Sequence, residues 1–152
     1  MADTTEIANA LVRWFAAVDR RDWAAARALM ATPFHLDYSS LGAGPASDLD
    51  PADVLAGWQT LLPGFDATHH QIGNLDIAAD GESATVACYV TATHVIAEAT
   101  EGRVWTVVGS YTIPMAHTDA GWVLAGCTFH FKYQDGNTEL PARARERLAQ
   151  QP

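Results

Sequence analysis

The stretch Ser83–Ile96, SATVACYVTATHVI, alternates with a period of two. Val86, Cys88, Val90, Ala92 and His94 fall on one face, while Thr85, Tyr89, Thr91 and Thr93 fall on the other. Side chains of a strand point alternately to opposite faces, so the pattern predicts a long strand with one buried side. That side is lined by small residues and ends in an imidazole. Small side chains leave space beneath a curved sheet, and His94 faces that space. Two readings stand at this point: a hydrogen-bonded core histidine, or a group serving a cavity.

Working outward, Ile72–Ala79 reads as a strand joined to Ser83–Ile96 by the tight turn Asp80-Gly81. A turn over Glu98–Gly102 leads to a strand from Arg103 to about Ala116, and a turn over Thr118–Gly121 to another, Trp122–Tyr133. Consecutive long strands of this kind form an antiparallel meander that curls, and something must cover its concave side. The first half of the chain supplies helices. Asp3 with Glu6 forms a capping pattern before Ile7, Leu11, Trp14, Phe15 and Val18, which recur at helical spacing. Asp22 can cap a second, shorter helix reaching about Met30, and Phe34, Leu36 and Tyr38 alternate as a first strand. Gly42–Asp50 has loop composition, and Asp50-Pro51 starts a third helix expected to stop at Pro63-Gly64. A short Arg-rich helix follows Pro141, expected as a flap or subunit contact. Helices first and strands after make an α+β fold, expected as one domain over residues 1–152.

The formal charge of −9 repels phosphate backbones and anionic bilayers, and no basic patch alternates with aromatics. Neither nucleic acid nor a membrane is expected as a partner. The N-terminal MADTTEIANAL lacks a basic region followed by an apolar run, so a cytoplasmic location is expected. Cys88 and Cys127 sit in separate apolar runs without a CxxC pattern and read as reduced core thiols.

Polar residues in apolar places carry the functional signal. Asp19 follows Phe15 by four residues and Leu11 by eight, continuing the buried stripe of the first helix. It either faces the interior, where a lone carboxylate needs a partner, or caps the turn before the second helix. Tyr38 shares the inward phase of Phe34 and Leu36. Of the adjacent His69 and His70 only one can point inward; His70 shares parity with Ile72, although Gly73 could bulge the strand. One of them with His94 and Asp19 would also make two histidines and one carboxylate, an iron-type ligand set, but no metal-motif spacing supports it, and no metal is expected. His35 and His117 read as surface or strand-end positions.

The runs Val18-Asp19-Arg20-Arg21-Asp22-Trp23, Leu36-Asp37-Tyr38-Ser39-Ser40-Leu41, Thr68-His69-His70-Gln71-Ile72-Gly73 and Thr93-His94, in this order, resemble the SnoaL-like branch of the nuclear transport factor 2-like superfamily. Within it they look most similar to scytalone dehydratase and its bacterial relatives. Gly109-Ser110-Tyr111 and Asp119-Ala120-Gly121-Trp122 extend the likeness, which runs from about Ile7 to Tyr133. The resemblance implies a cone-shaped, strongly curved antiparallel sheet covered by N-terminal helices and enclosing a pocket. It implies that Asp19 orients His94, that His70 shuttles the proton, and that Tyr38 polarises a substrate carbonyl through water. The family's second tyrosine falls on Val18, and its pocket serine and asparagine fall near Gly109 and Tyr111. Val18, Trp58, Phe65, Tyr111, Phe129 and His130 are expected to line the pocket, His130 at its mouth.

Loss of water β to a carbonyl needs a base, an electrophile on the carbonyl and an acid for the leaving hydroxyl. Histidine suits the first and last roles because its unperturbed pKa is about 6.5. The expected activity is a cofactor-independent, dehydratase-like lyase acting on a small hydrophobic cyclic hydroxyketone or similar metabolite. The alternatives are an isomerase or cyclase using the same enolising site, or a non-catalytic small-molecule-binding module. The open sheet face leads to an expected homodimer or homotrimer.

Overall fold

The computed structural model describes residues 3–152, so Met1 and Ala2 of the expected domain lie outside the described residues. Helix α1 spans Thr4–Asp19, with the Asp3 carboxylate accepting from the Thr5 amide at 2.8 Å. It buries Ile7, Leu11, Trp14, Phe15 and Val18, the stripe that the spacing requires. Asp22 caps α2 (Trp23–Ala28) by accepting from the Ala25 amide, and Met30 already belongs to β1 (Met30–Asp37). Tyr38 stands one residue past β1, at the entry to a short 3-10 turn, Ser39–Leu41.

The loop-like stretch that follows hides a three-residue strand, β2 (Ser47–Leu49), paired antiparallel with β1. Asp50 caps α3 (Pro51–Gln59) as its sequence demands, but the helix stops earlier than Pro63. There the Thr60 hydroxyl donates to the Gly57 carbonyl, and Pro63 has no N–H to offer the Gln59 carbonyl, so the chain passes into a 3-10 turn at Leu62–Gly64. Then come β3 (Ala67–Asp80), β4 (Ser83–Val95), β5 (Val104–Thr118), β6 (Gly121–Gly136) and α4 (Leu140–Ala149).

The six strands form one curved, unclosed sheet in the order β2-β1-β6-β5-β4-β3. The meander from β3 to β6 is antiparallel throughout, as expected. The whole sheet, however, is mixed, because β1 runs parallel to β6. Register shifts interrupt the pairs β1–β6, β3–β4 and β5–β6, and such bulges bend a sheet. One lies between Gly73 and Asp76, so Ile72 opposes Val90 and Ile77 opposes Val86, both inward partners on β4. Without the extra residue one of the two isoleucines would face outward.

α4 is no free flap. Leu140 and Ala144 are buried, Arg147 donates to the Gly64 carbonyl and pairs with Asp66 at 2.7 Å, and a Cβ at Gly64 would collide with the Ala144 carbonyl. Both cysteines are buried and free, with burial raising the Cys88 thiol to about 11. No helix among the described residues is long and apolar enough to cross a membrane.

Candidate functional site

Between the helices and the concave face lies a cavity of about 630 Å³, within the range of small-molecule sites. It is a cleft rather than a closed chamber, since its rim is made of exposed residues such as Gly42, Pro45, Thr60 and Arg145. Its wall includes Val18, Tyr38, Trp58, His70, His94, Tyr111 and Phe129.

Asp19 is the last residue of α1 and faces inward, so the cap of α2 falls to Asp22 alone. Its partner is His70, not His94. Asp19 Oδ1 lies 2.7 Å from His70 Nδ1, and Oδ2 accepts the His70 backbone N–H at 2.8 Å. The expected Asp19–His94 pairing is therefore corrected. Antiparallel register explains the outcome: Thr68 opposes His94 and His70 opposes Ala92, which brings His70 two residues further along the inward face of β3 and over the end of α1. Burial pushes the Asp19 carboxyl up, but hydrogen bonds from the His70 ring and amide and from Thr68 outweigh it and hold the carboxyl below its ordinary range. A carboxylate at Nδ1 makes that nitrogen the donor, so neutral His70 presents the lone pair of Nε2 on the side away from Asp19.

His94 has a different anchor. Its Nδ1 is 3.1 Å from the Trp105 carbonyl, which can only accept. Its ring lies 4.9 Å from Phe65 and 4.4 Å from Trp105 between centroids, and 6.1 Å from His70. Burial, then the nearby His70, lower its pKa to about 4. His94 is thus neutral at physiological pH and can only accept at Nε2. An acid role for it does not fit this geometry.

Tyr38 and Tyr111 meet hydroxyl to hydroxyl at 3.0 Å, with Phe129 stacked on Tyr38 at 5.7 Å and Cys127 Sγ at 3.8 Å from the Tyr38 hydroxyl. Burial is the main reason both phenols are held well above 10, so both remain protonated. Two hydroxyls sharing one hydrogen bond leave one O–H for a ligand, since thiol sulfur is a weak acceptor. Tyr111 was expected only as a lining residue; its pairing with Tyr38 adds a second phenol to the site.

Two expected lining residues are elsewhere. Phe65 is buried behind His94, shielded from the cavity by the imidazole it packs on. His130 follows the inward Phe129 on β6, so alternation sends it outward, where it bonds Thr112 at 2.9 Å. His69 opposes Thr93 and is exposed, and no three metal-ligating side chains converge among the described residues.

Other participants were not singled out from sequence. Trp105 anchors His94, and Gln134 on the cavity wall holds the Trp105 indole at 2.9 Å. Arg21 donates to Thr68 Oγ1 at 2.7 Å, and Thr68 donates to Asp19 at 3.0 Å. Arg145, on α4, is the one formally charged side chain at the wall among the described residues.

The sequence pattern of the SnoaL-like domain matches residues 1–128. The Kfla4162 protein of Kribbella flavida is similar in structure, with a TM-score of 0.83 and 25% identity over 94% of this chain and 97% of that one. A candidate scytalone dehydratase from Novosphingobium aromaticivorans gives 0.74 and 16%, covering 88% of this chain and 87% of that one. A hexachlorocyclohexane dehydrochlorinase from Novosphingobium barchaimii gives 0.69 and 12%, covering 89% and 90%. No curated protein matches the chain. Shared fold across such distant sequences carries the architecture alone. Its helix-covered, mixed and bent sheet and a pattern match over 128 of 152 residues agree, and the chain belongs to the SnoaL-like family.

Proposed function

We propose that the cavity catalyses elimination of water from a small hydrophobic cyclic β-hydroxyketone, with His70 as the base. The observation that carries this reading is the 2.7 Å Asp19–His70 contact at the wall of an otherwise largely apolar cavity that also holds a tyrosine pair. His70 Nε2 takes the proton α to the carbonyl, and the C–H electrons move into an enolate. The free O–H of the Tyr38–Tyr111 pair donates to the enolate oxygen. The enolate collapses, the α,β-double bond forms, and the β-hydroxyl leaves with the proton returned by His70 Nε2–H as water. His94 Nε2 accepts from the leaving hydroxyl and orients it. Asp19 stays ionised, holds the ring tautomer and stabilises the transient imidazolium. Every proton and electron pair in this sequence is carried by substrate and side chains.

The test is turnover of an α-tetralone bearing a hydroxyl β to the ketone, followed by formation of α-naphthol. His70→Ala is expected to lower kcat/KM by roughly 10³-fold or more. A His70→Ala enzyme that keeps wild-type turnover would remove His70 from the chemistry. Exchange of the α-hydrogen for solvent deuterium without naphthol would instead reveal an enolising isomerase or cyclase.

A further inference from the structure

We infer that Arg21 is a positioning residue for the Asp19–His70 pair, acting through the hydroxyl of Thr68. The first observation is its backbone. Asp22 N–H bonds the Ala17 carbonyl at 2.9 Å and Arg21 N–H the Val18 carbonyl at 3.1 Å, so α1 ends in a Schellman motif with Arg21 at the left-handed position, φ 61°. Glycine is the usual occupant there, and an arginine accepts strain that persists in proteins mainly where surroundings or function over-determine it.

The second observation is what the side chain does. Nη2 donates to the Leu62 carbonyl at 2.7 Å, and Nη1 to the Val18 and Asp19 carbonyls, both at 3.2 Å, as well as to Thr68 Oγ1. A guanidinium has no lone pair to offer. Its N–H therefore occupies the Thr68 oxygen as acceptor and leaves the Thr68 hydrogen to point at Asp19 Oδ1, 3.0 Å away. Thr68 itself is buried. The chain Arg21 to Thr68 to Asp19 to His70 thus has one polarity, every hydrogen pointing toward the carboxylate. The relay sets both the position of Asp19 and how strongly it holds a proton on His70.

The inference rests on His70 being the base, but its readout needs no substrate. The titratable or charged groups facing His70 are Asp19 and, through Thr68, Arg21 at the end of α1, and His94 on β4, while Tyr111 on β5 shares its cavity wall. The measurement is the His70 Cε1–H titration by NMR in the whole protein. With the Thr68 donor removed, Asp19 attracts the His70 proton more strongly, so Thr68→Val raises the midpoint by about half a unit. Arg21→Gly relieves the strained position, folds, and raises the midpoint in the same direction. Thr68→Ser keeps the donor and the wild-type midpoint. Because Arg21→Gly also removes a cation beside Asp19, which raises the midpoint on its own, the relay is read from Thr68→Val, which keeps that charge. An unmoved midpoint in Thr68→Val, or a Thr68→Ser protein behaving like Thr68→Val, overturns the assignment. A shifted midpoint in a protein whose His70→Ala variant keeps full turnover would sink the proposed reaction and leave the relay standing.

Discussion

The two histidines on the cavity wall share a residue type, an inward face and a 6.1 Å centroid separation, yet their surroundings assign them opposite chemistry. His70 meets a carboxylate at Nδ1, so its tautomer is fixed and Nε2 is left open to take and return a proton. His94 meets a backbone carbonyl at Nδ1 and aromatic rings beside it, so the charged form is penalised and the ring remains an acceptor. The difference lies in one anchor atom on each ring, an Asp19 oxygen against a Trp105 oxygen. An imidazole in a pocket therefore says little until its far nitrogen is traced.

The largest expected way to break this contrast is Asp19→Asn. The amide oxygen can still accept from Nδ1, but the negative charge that favours imidazolium is gone, and an amide N–H turned toward Nδ1 would select the wrong tautomer. Turnover should fall about 10³-fold with little change in KM, measured under saturating β-hydroxyketone. Loss below tenfold would put the proton elsewhere. Next comes Tyr38→Phe, which leaves Tyr111 a single hydroxyl and should lower kcat by roughly 10–100-fold. An equal fall in a Tyr111→Phe variant would mean that the pair works as a unit.

The contrast also has a stability signature on the His94 side. Its pKa is about 4 when folded, against an unfolded value near 6.5. The unfolded chain therefore binds this proton first. Above pH 6.5 neither state is protonated and the group has no effect. As pH falls from about 6.5 toward 4, the folded state loses stability, by up to about 3 kcal/mol at the lower end. His94→Asn, which keeps a donor for the Trp105 carbonyl, should flatten urea-unfolding free energies across that window. Asp19 acts below this range: its lowered pKa supplies stability above about 3.8 that is lost as pH falls further. A variant whose pH dependence matched the wild type would place the acid-labile group elsewhere. For catalysis the same substitution should cost roughly tenfold, mostly in KM, because an acceptor and not a proton donor is lost.

How much of this was legible in sequence follows from the range of each signal. Period-two alternation over Val86–His94 and helical spacing over Ile7–Val18 are local, and both faces came out as the residues demand. Caps at Asp3, Asp22 and Asp50 are local as well. The parallel pairing of β1 with β6 is not, because an alternating segment carries no record of its neighbour's direction. β2 is too short, at three residues, to show any period. For the site, spacing told which side chains face inward, yet could not tell which carboxylate oxygen meets which imidazole. That depends on a register offset of two residues between β3 and β4. Arg21 was hidden for another reason: nothing in Asp19-Arg20-Arg21-Asp22 announces that a charged residue occupies a position usually given to glycine.

The smallest expected effect separates the inner wall from the rim. Arg145 sits on the exposed flank of α4, where water screens its charge, and an exposed cation contributes little to binding a neutral ligand. If the two histidines and the tyrosine pair decide the chemistry, Arg145→Ala should change kcat/KM for a neutral β-hydroxyketone by less than about threefold. The same substitution should matter more for an analogue carrying a carboxylate at the end away from the ketone, because the rim then meets a formal negative charge. Both analogues share the reacting ring, so a difference between them isolates the rim from the inner wall. A tenfold loss on the neutral ketone would show that α4 orders the inner site through its packing on the Leu62–Gly64 turn, the same turn whose Leu62 carbonyl Arg21 holds from the other side. The contrast between the histidines would then depend on a clamp shared by both ends of the chain.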